Sequence, residues 1–403
     1  MDIRKIVLLI TIVSCVFFFA RCLQGQQSTD PRGRAYAGSD KCRNCHQSIS
    51  TSYAHTAHYL STRVASGISV MGNFSKDSNE LFINDTTRIM MEKKDSSLYQ
   101  VLYINNKQIT SRRFDIVIGL VKGQSYLSWY ENGLFQLPVS YISALHRWTS
   151  SPGYALAGLD FSRTITKDCF ECHSSFVSRD ELGLSNVKTS QSSWVINIDC
   201  ERCHGPAATH VQFHEENPKE KQSMFLLPFQ SLSRQQKIDL CAQCHSGNKN
   251  ILLKSRFAFR MGDTLSSYMI PIPGGNQPDV HGNQTQLLSQ SKCYRMSSMD
   301  CTTCHNTHVN ERGNTILYND RCQNCHTAGN HFCKIATDSN LALIKNNCTR
   351  CHMPELASAV IRVQASANST LATPTLVVSH RIAIYPGETS KVFKTMASEK
   401  TAR

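Results

Sequence analysis

One five-residue pattern, Cys-x-x-Cys-His, occurs seven times in this 403-residue chain and constrains its fold more than any other feature. In chain order the copies, motifs 1 to 7, are Cys42, Cys45, His46; Cys169, Cys172, His173; Cys200, Cys203, His204; Cys241, Cys244, His245; Cys301, Cys304, His305; Cys322, Cys325, His326; and Cys348, Cys351, His352. Two thiols one helical turn apart can bond the two vinyl groups on one edge of a porphyrin. The His that follows then lies under the ring, within reach of its iron. The pattern is the attachment signature of c-type haem, so the sequence implies seven covalently bound haems c, each with its motif histidine as proximal ligand. Zinc fits poorly, because it usually takes four ligands from two paired motifs and each copy here ends in its own His.

Only 40% of the residues are hydrophobic and 8% aromatic, and the first figure includes the cysteines. That is a thin supply of apolar side chains for so long a chain, whereas a porphyrin is a large, flat apolar body. The expectation is a mainly α and irregular, haem-packed multihaem cytochrome c fold with an antiparallel β insert. The formal charge of +13 would suit nucleic acid or an anionic membrane. The propionates of seven haems, however, would bring about fourteen negative charges and leave the loaded protein near neutral. Lys and Arg are therefore expected largely to pair propionates, and no nucleic-acid partner is expected.

Residues 1–21 read as a secretory signal: Arg4 and Lys5 precede a mostly apolar run from Ile6 to Ala20 that is marginal for spanning a bilayer. Haem attachment of this type takes place outside the cytoplasm, so the chemistry also calls for export, to the periplasm or outer envelope. Cys22 lies where a lipoprotein cysteine would sit, and acylation there would tether the chain to a membrane surface. Cys15, simple cleavage and an uncleaved anchor are the alternatives. Outside the motifs only Cys293 and Cys333 then remain, and in an oxidising compartment they are expected to form a disulfide.

After the signal, residues 22–37 read as a linker and 38–66 as a first haem segment, with a helix expected from Gln47 to Arg63 carrying His55 and His58 on one face. Residues 67–145 contain no motif. Runs such as Leu98 to Ile104, Arg113 to Val121 and Tyr126 to Tyr130 are β-branched and aromatic, and Asn84-Asp85, Asn105-Asn106 and Asn132-Gly133 offer turn chemistry between them. We expect a β-rich, haem-free insert there, a six-haem domain over 146–384, and a basic tail over 385–403.

Each iron needs a sixth ligand. Nine histidines lie outside the motifs, enough for every haem to be bis-histidine and closed to substrate. His58, His146, His210, His281, His308, His331 and His380 are the distal candidates; His55 and His214 are spare. His308 and His210 follow their own motif histidines too closely to reach the far face of the same haem, so they are expected to serve neighbours. Methionine ligation is not expected, since Met353 directly follows His352.

Several segments resemble multihaem c-type cytochromes related to the tetrahaem cytochrome that accepts electrons from hydroxylamine oxidoreductase. They are Gly38 to Cys42 with His46, Tyr53, Thr56 and His58; Cys200 to His204 with Gly205, Pro206 and His210; Ser291 to Met296 with Cys301 to His308, where Thr307 replaces the usual proline; Cys351-His352-Met353-Pro354; and Ser379-His380-Arg381-Ile382. Val280-His281-Gly282-Asn283 also resembles a ligand position. The likeness runs from about Gly38 to Ile384. It implies haems packed in close stacked and perpendicular pairs with electrons passing between irons, and a trailing His in several segments as distal ligand.

Two functions follow. The first is an electron-transfer cytochrome whose partners are redox proteins such as a quinol dehydrogenase or a terminal reductase. The alternative is an oxidoreductase acting on nitrite, hydroxylamine or similar small molecules at one open haem, with His55, His214, or His146 beside Tyr141 as acid–base groups. No Cys-x-x-Cys-Lys motif, one mark of nitrite-reducing haems, is present. The full complement of histidines favours the carrier.

Overall fold

In the computed structural model, residues 30–131, 133–158, 160–177, 194–247, 250–272, 278–327, 333–366 and 372–401 are described. The signal, Cys15, Cys22, Asn132 and His331 lie outside them. Between Thr62 and Ser150 the chain forms ten strands: β1 Thr62–Val64, β2 Glu80–Phe82, β3 Thr87–Lys94, β4 Ser97–Ile104, β5 Lys107–Arg113, β6 Ile116–Ile118, β7 Gly123–Tyr130, β8 Gly133–Gln136, β9 Val139–Ile142 and β10 Arg147–Ser150. They make a four-stranded sheet, β2-β3-β4-β5, and a six-stranded sheet ordered β1-β6-β7-β9-β10 with β8 beside β7. Every pairing is antiparallel. The turn signals act locally. Asn105 and Asn106 both take positive φ, 48° and 63°, between the paired ends Ile104 and Lys107, as a two-residue primed turn requires. Tyr130 pairs with Gly133 across the β7–β8 hairpin.

Period-2 alternation gives the six-stranded sheet two apolar faces. Val117 and Tyr126 join Leu81, Ile89, Met91 and Leu98 of the other sheet in one core. Their chain neighbours Ile116 and Leu127 point the other way, into a second core with Phe170 and Trp194. Trp148 is central to the first core, edge-on to Phe74 and Tyr141. Its indole N–H donates to the Asn73 carbonyl at 2.8 Å. Gly72 makes room for it, since a Cβ there would lie 1.8 Å from the ring. The buried Gln100 amide joins the two sheets by bonding both backbone groups of Val139, at 2.7 and 3.1 Å.

Outside this region the helices are short. Those that carry motifs are Ser39–Cys45, Lys167–His173, Cys200–His204, Arg234–His245 and Cys348–His352. Motif 5 opens on a 3-10 turn, Cys301–Thr303, and motif 6 begins within Thr315–Gln323. A further antiparallel hairpin, Glu355–Val363 with Thr373–Val378, follows motif 7. It is fastened to β10, where Ser150 N–H donates to the Gln364 carbonyl at 2.8 Å and Gln364 N–H to Ser150 Oγ at 3.0 Å.

Helix makes up 31% of the chain and strand 24%, so the expected mainly α and irregular class is overturned. The apolar side chains are concentrated rather than thinly spread. Where they cluster, the sheets build an interior from side chains alone. Two local expectations also change. The helix from Gln47 stops at Tyr53, where Thr56 Oγ1 donates back to the Tyr53 carbonyl and accepts from Tyr59 N–H, offering the backbone a competing turn; His55 and His58 therefore share no helical face. Residues Pro386–Thr401, within the expected basic tail, form a helix. Cys293 and Cys333 are free thiols: Cys293 lies near Cys304 and Cys333 near Cys351, beside different motifs.

Candidate haem-attachment sites

A helical turn is what Cys-x-x-Cys needs, because it brings both thiols to one side. Caps fix where several of these turns begin. Asp199, directly before Cys200, accepts from Arg202 N–H at 2.9 Å. Asp300, directly before Cys301, accepts from Thr302 N–H at 2.7 Å. Ser233 and Gln236 form a reciprocal capping box on the motif 4 helix. The turns are packed so that thiols of different motifs meet: Cys42 with Cys200, Cys172 with Cys244, and Cys241 with Cys301 are within hydrogen-bonding reach. Motifs 1 and 3, 2 and 4, and 4 and 5 are thus neighbours in space.

Three motif histidines each face a histidine from a distant part of the chain. His245 and His58 have ring centres 6.1 Å apart with planes at 76°. His204 and His308 are 5.9 Å apart at 19°, and His305 and His380 are 6.2 Å apart at 26°. An imidazole nitrogen lies about 2 Å from a bound metal, so two rings on opposite sides of one ion have centres about 6 Å apart. All three separations match. His210 and His214, at 4.6 Å, are too close for that arrangement.

The tautomers fit as well. His352 Nδ1 lies 2.8 Å from the Ala383 carbonyl and His210 Nδ1 2.7 Å from that of Met224. A carbonyl only accepts, so each Nδ1 carries the proton and Nε2 keeps its lone pair for a metal. His245 Nδ1 is held 3.2 Å from Gln284 Oε1. Burial disfavours the imidazolium, pulling His58, His173 and His380 down to about 4 and lowering His204, His305 and His308. These rings are therefore neutral near pH 7, the form that ligates metal. His58, His204 and His305 are nonetheless exposed residues. These residues fit haem.

The other histidines are placed less tellingly. His281 is close enough to His173 to disfavour its charging, and its N–H donates to Asp279 Oδ1 at 2.8 Å. His146 is exposed in a left-handed turn before β10, with φ 49°. His46, His55 and His326 are exposed.

Charged residues between the motif cysteines were not anticipated. Glu171, Glu201 and Arg202 are buried, as are Asp199 and Arg256 around them. Phe170, at 0% exposure, anchors motif 2 in the second sheet core. The partners of Glu201 and Glu171, Arg32 and Arg256, lie far away in sequence, so the pairing could not be read from the motifs themselves. Carboxylates and carbonyls engage the guanidiniums of Arg32, Arg202 and Arg256, while the Nε atoms of Arg202 and Arg256 are buried without a hydrogen-bond partner among the described residues.

Against known proteins, a family model described as cytochrome c554 and c-prime matches residues 146–205, the stretch that holds motifs 2 and 3. The crystal structure of outer cell wall cytochrome OcwA superimposes with a TM-score of 0.52 over 89% of this chain and 81% of its own, at 14% identity. The fold is that of a multihaem c-type cytochrome. Its likeness to OcwA takes in most of the chain, strands included. Nothing among curated proteins matches this chain. No described helix is long and apolar enough to cross a membrane.

Proposed function

We propose that this chain is an exported electron-transfer protein that carries seven haems c. The observation that carries the reading is the three opposed histidine pairs, each joining a motif histidine to a partner at iron-bridging separation. Bound haem supplies reversible one-electron chemistry. The chain supplies the rest. The fourteen motif cysteines would hold the groups covalently, and His46, His173, His204, His245, His305, His326 and His352 would ligate them. His58, His308 and His380 would be second histidine ligands for the groups held by His245, His204 and His305, keeping water and substrate away. His281 is assigned to His173 on proximity, and His210 is assigned as a further distal ligand on its Nδ1 contact. Adjacent thiols of neighbouring motifs keep the sites close enough for exchange. Export follows from the attachment chemistry, and acylation at Cys22 would hold the protein at a membrane surface, where redox proteins could reach it.

The test is the oxidised, purified holoprotein. Its mass should exceed that of the mature polypeptide by seven haems, and its electron paramagnetic resonance spectrum should be low-spin. His380→Ala should convert one haem to a high-spin species. A high-spin haem in the unaltered protein would favour the small-molecule reductase instead, and a colourless protein would end the reading.

A further inference from the structure

The buried charges between the motifs are unevenly divided. At the junction of motifs 1 and 3, one guanidinium meets three carboxylates: Arg32 lies 2.8 Å from Asp30, 2.7 Å from Asp199 and 3.1 Å from Glu201. Arg32 and Glu201 side chains are 4% and 1% exposed. Glu201 also accepts backbone N–H groups from Ala37, Gly38 and Ala207 at 2.8–2.9 Å, and Cys42 Sγ is 3.8 Å from the Gly38 carbonyl. The nearby Arg260 lies 5.7 Å from the Tyr36 ring centre and donates to the Phe257 and Phe259 carbonyls.

Where motifs 2, 3 and 4 meet, the balance reverses. Arg202 donates to the carbonyls of Glu171 and Arg256, both at 3.0 Å. Arg256 sits 3.9 Å from the Glu171 carboxylate, which also accepts from Ser255 Oγ at 2.7 Å. Cys244 Sγ lies 3.9 Å from the Glu171 carbonyl. Asp239, on the motif 4 helix, is turned to Gln235 and to Leu265 N–H, at 2.7 and 3.1 Å. Two guanidiniums therefore lie at the motif cysteines beside a single carboxylate: Arg256 faces Glu171, and Arg202 is held by backbone carbonyls.

Reduction adds one negative charge to a haem. Buried neighbours are poorly screened by salt, so guanidiniums favour the reduced state and carboxylates oppose it. Solvent exposure differs as well: Cys45 and His46 of motif 1 are exposed, while Phe170 and Glu171 of motif 2 are buried.

We propose that these two clusters grade the reduction potentials of the attachment sites, lower at motif 1 and higher at motifs 2 and 4. The first electrons placed on the oxidised protein then settle at the inner junction. This deepens the electron-transfer reading and rests on it.

A potentiometric titration of the purified holoprotein, followed by haem absorbance, tests it. Glu201→Gln and Asp30→Asn each remove a carboxylate from the outer cluster and should move the lowest-potential wave upward, leaving the highest in place. Arg256→Gln should move the highest wave downward, and Glu171→Gln should move it upward. If Glu201→Gln or Arg256→Gln does not retain haem, Asp30→Asn and Glu171→Gln read the same two clusters. Variants with full haem content that titrate like the parent, or that move the opposite end of the curve, overturn the proposal. A parent protein without haem would fail earlier, by mass and colour, and would overturn the electron-transfer reading itself.

Discussion

The two sheets and the motif-bearing helices solve the same problem in different ways. Between β2 and β10 the interior is made of side chains, with Ile89, Met91, Val117, Tyr126 and Trp148 at 0–2% exposure. Each such large apolar group contributes roughly 1.5–3 kcal/mol by leaving water. The helices Ser39–Cys45, Ala208–Glu216, Leu341–Lys345 and Cys348–His352 bury no residue at all. Helices so short have no stability of their own. Much of what is buried near the motifs is polar, with Asp199, Glu201, Arg202, Gln243, Arg256 and Asn347 beside apolar residues such as Phe170 and Ile238. One region carries an apolar core of its own, and the other is held largely by buried polar contacts.

The most damaging way to probe this contrast is to withhold haem. In a host that cannot attach haem c, amides from Cys200 to His352 should exchange freely, while those of β3, β4 and β7 keep their protection. Equal loss in both regions would break the comparison. Next in size, Trp148→Ala should cost the sheets about 3–5 kcal/mol in urea unfolding followed by circular dichroism, with the haem spectrum unchanged. The smallest effect should come from Ser233→Ala. Losing this cap should cost about 1 kcal/mol, seen as faster exchange in the motif 4 helix and none in the sheets.

Legibility from the sequence follows the same division. The strands rich in β-branched and aromatic residues, Leu98 to Ile104 and Tyr126 to Tyr130, could be read directly, as could the Asn105-Asn106 turn. The hairpin Glu355–Val363 was hidden because much of it is exposed and its pattern mixed. β5 was missed for a similar reason, as Lys107–Arg113 buries no residue. At the motifs, residue type and spacing announce cysteine and histidine chemistry unaided. The roles of Glu171, Glu201 and Arg202 could not be read there, because they depend on Arg256 and Arg32, which only folding brings alongside.

The clasp between Ser150 and Gln364 spans 214 residues of sequence, and His380 meets His305 from still nearer the end of the chain. A polypeptide is made from its N-terminus, so Ser150 waits through the synthesis of every later motif before its partner exists. The hairpin that follows motif 7 can therefore dock on β10 only after every motif has been made.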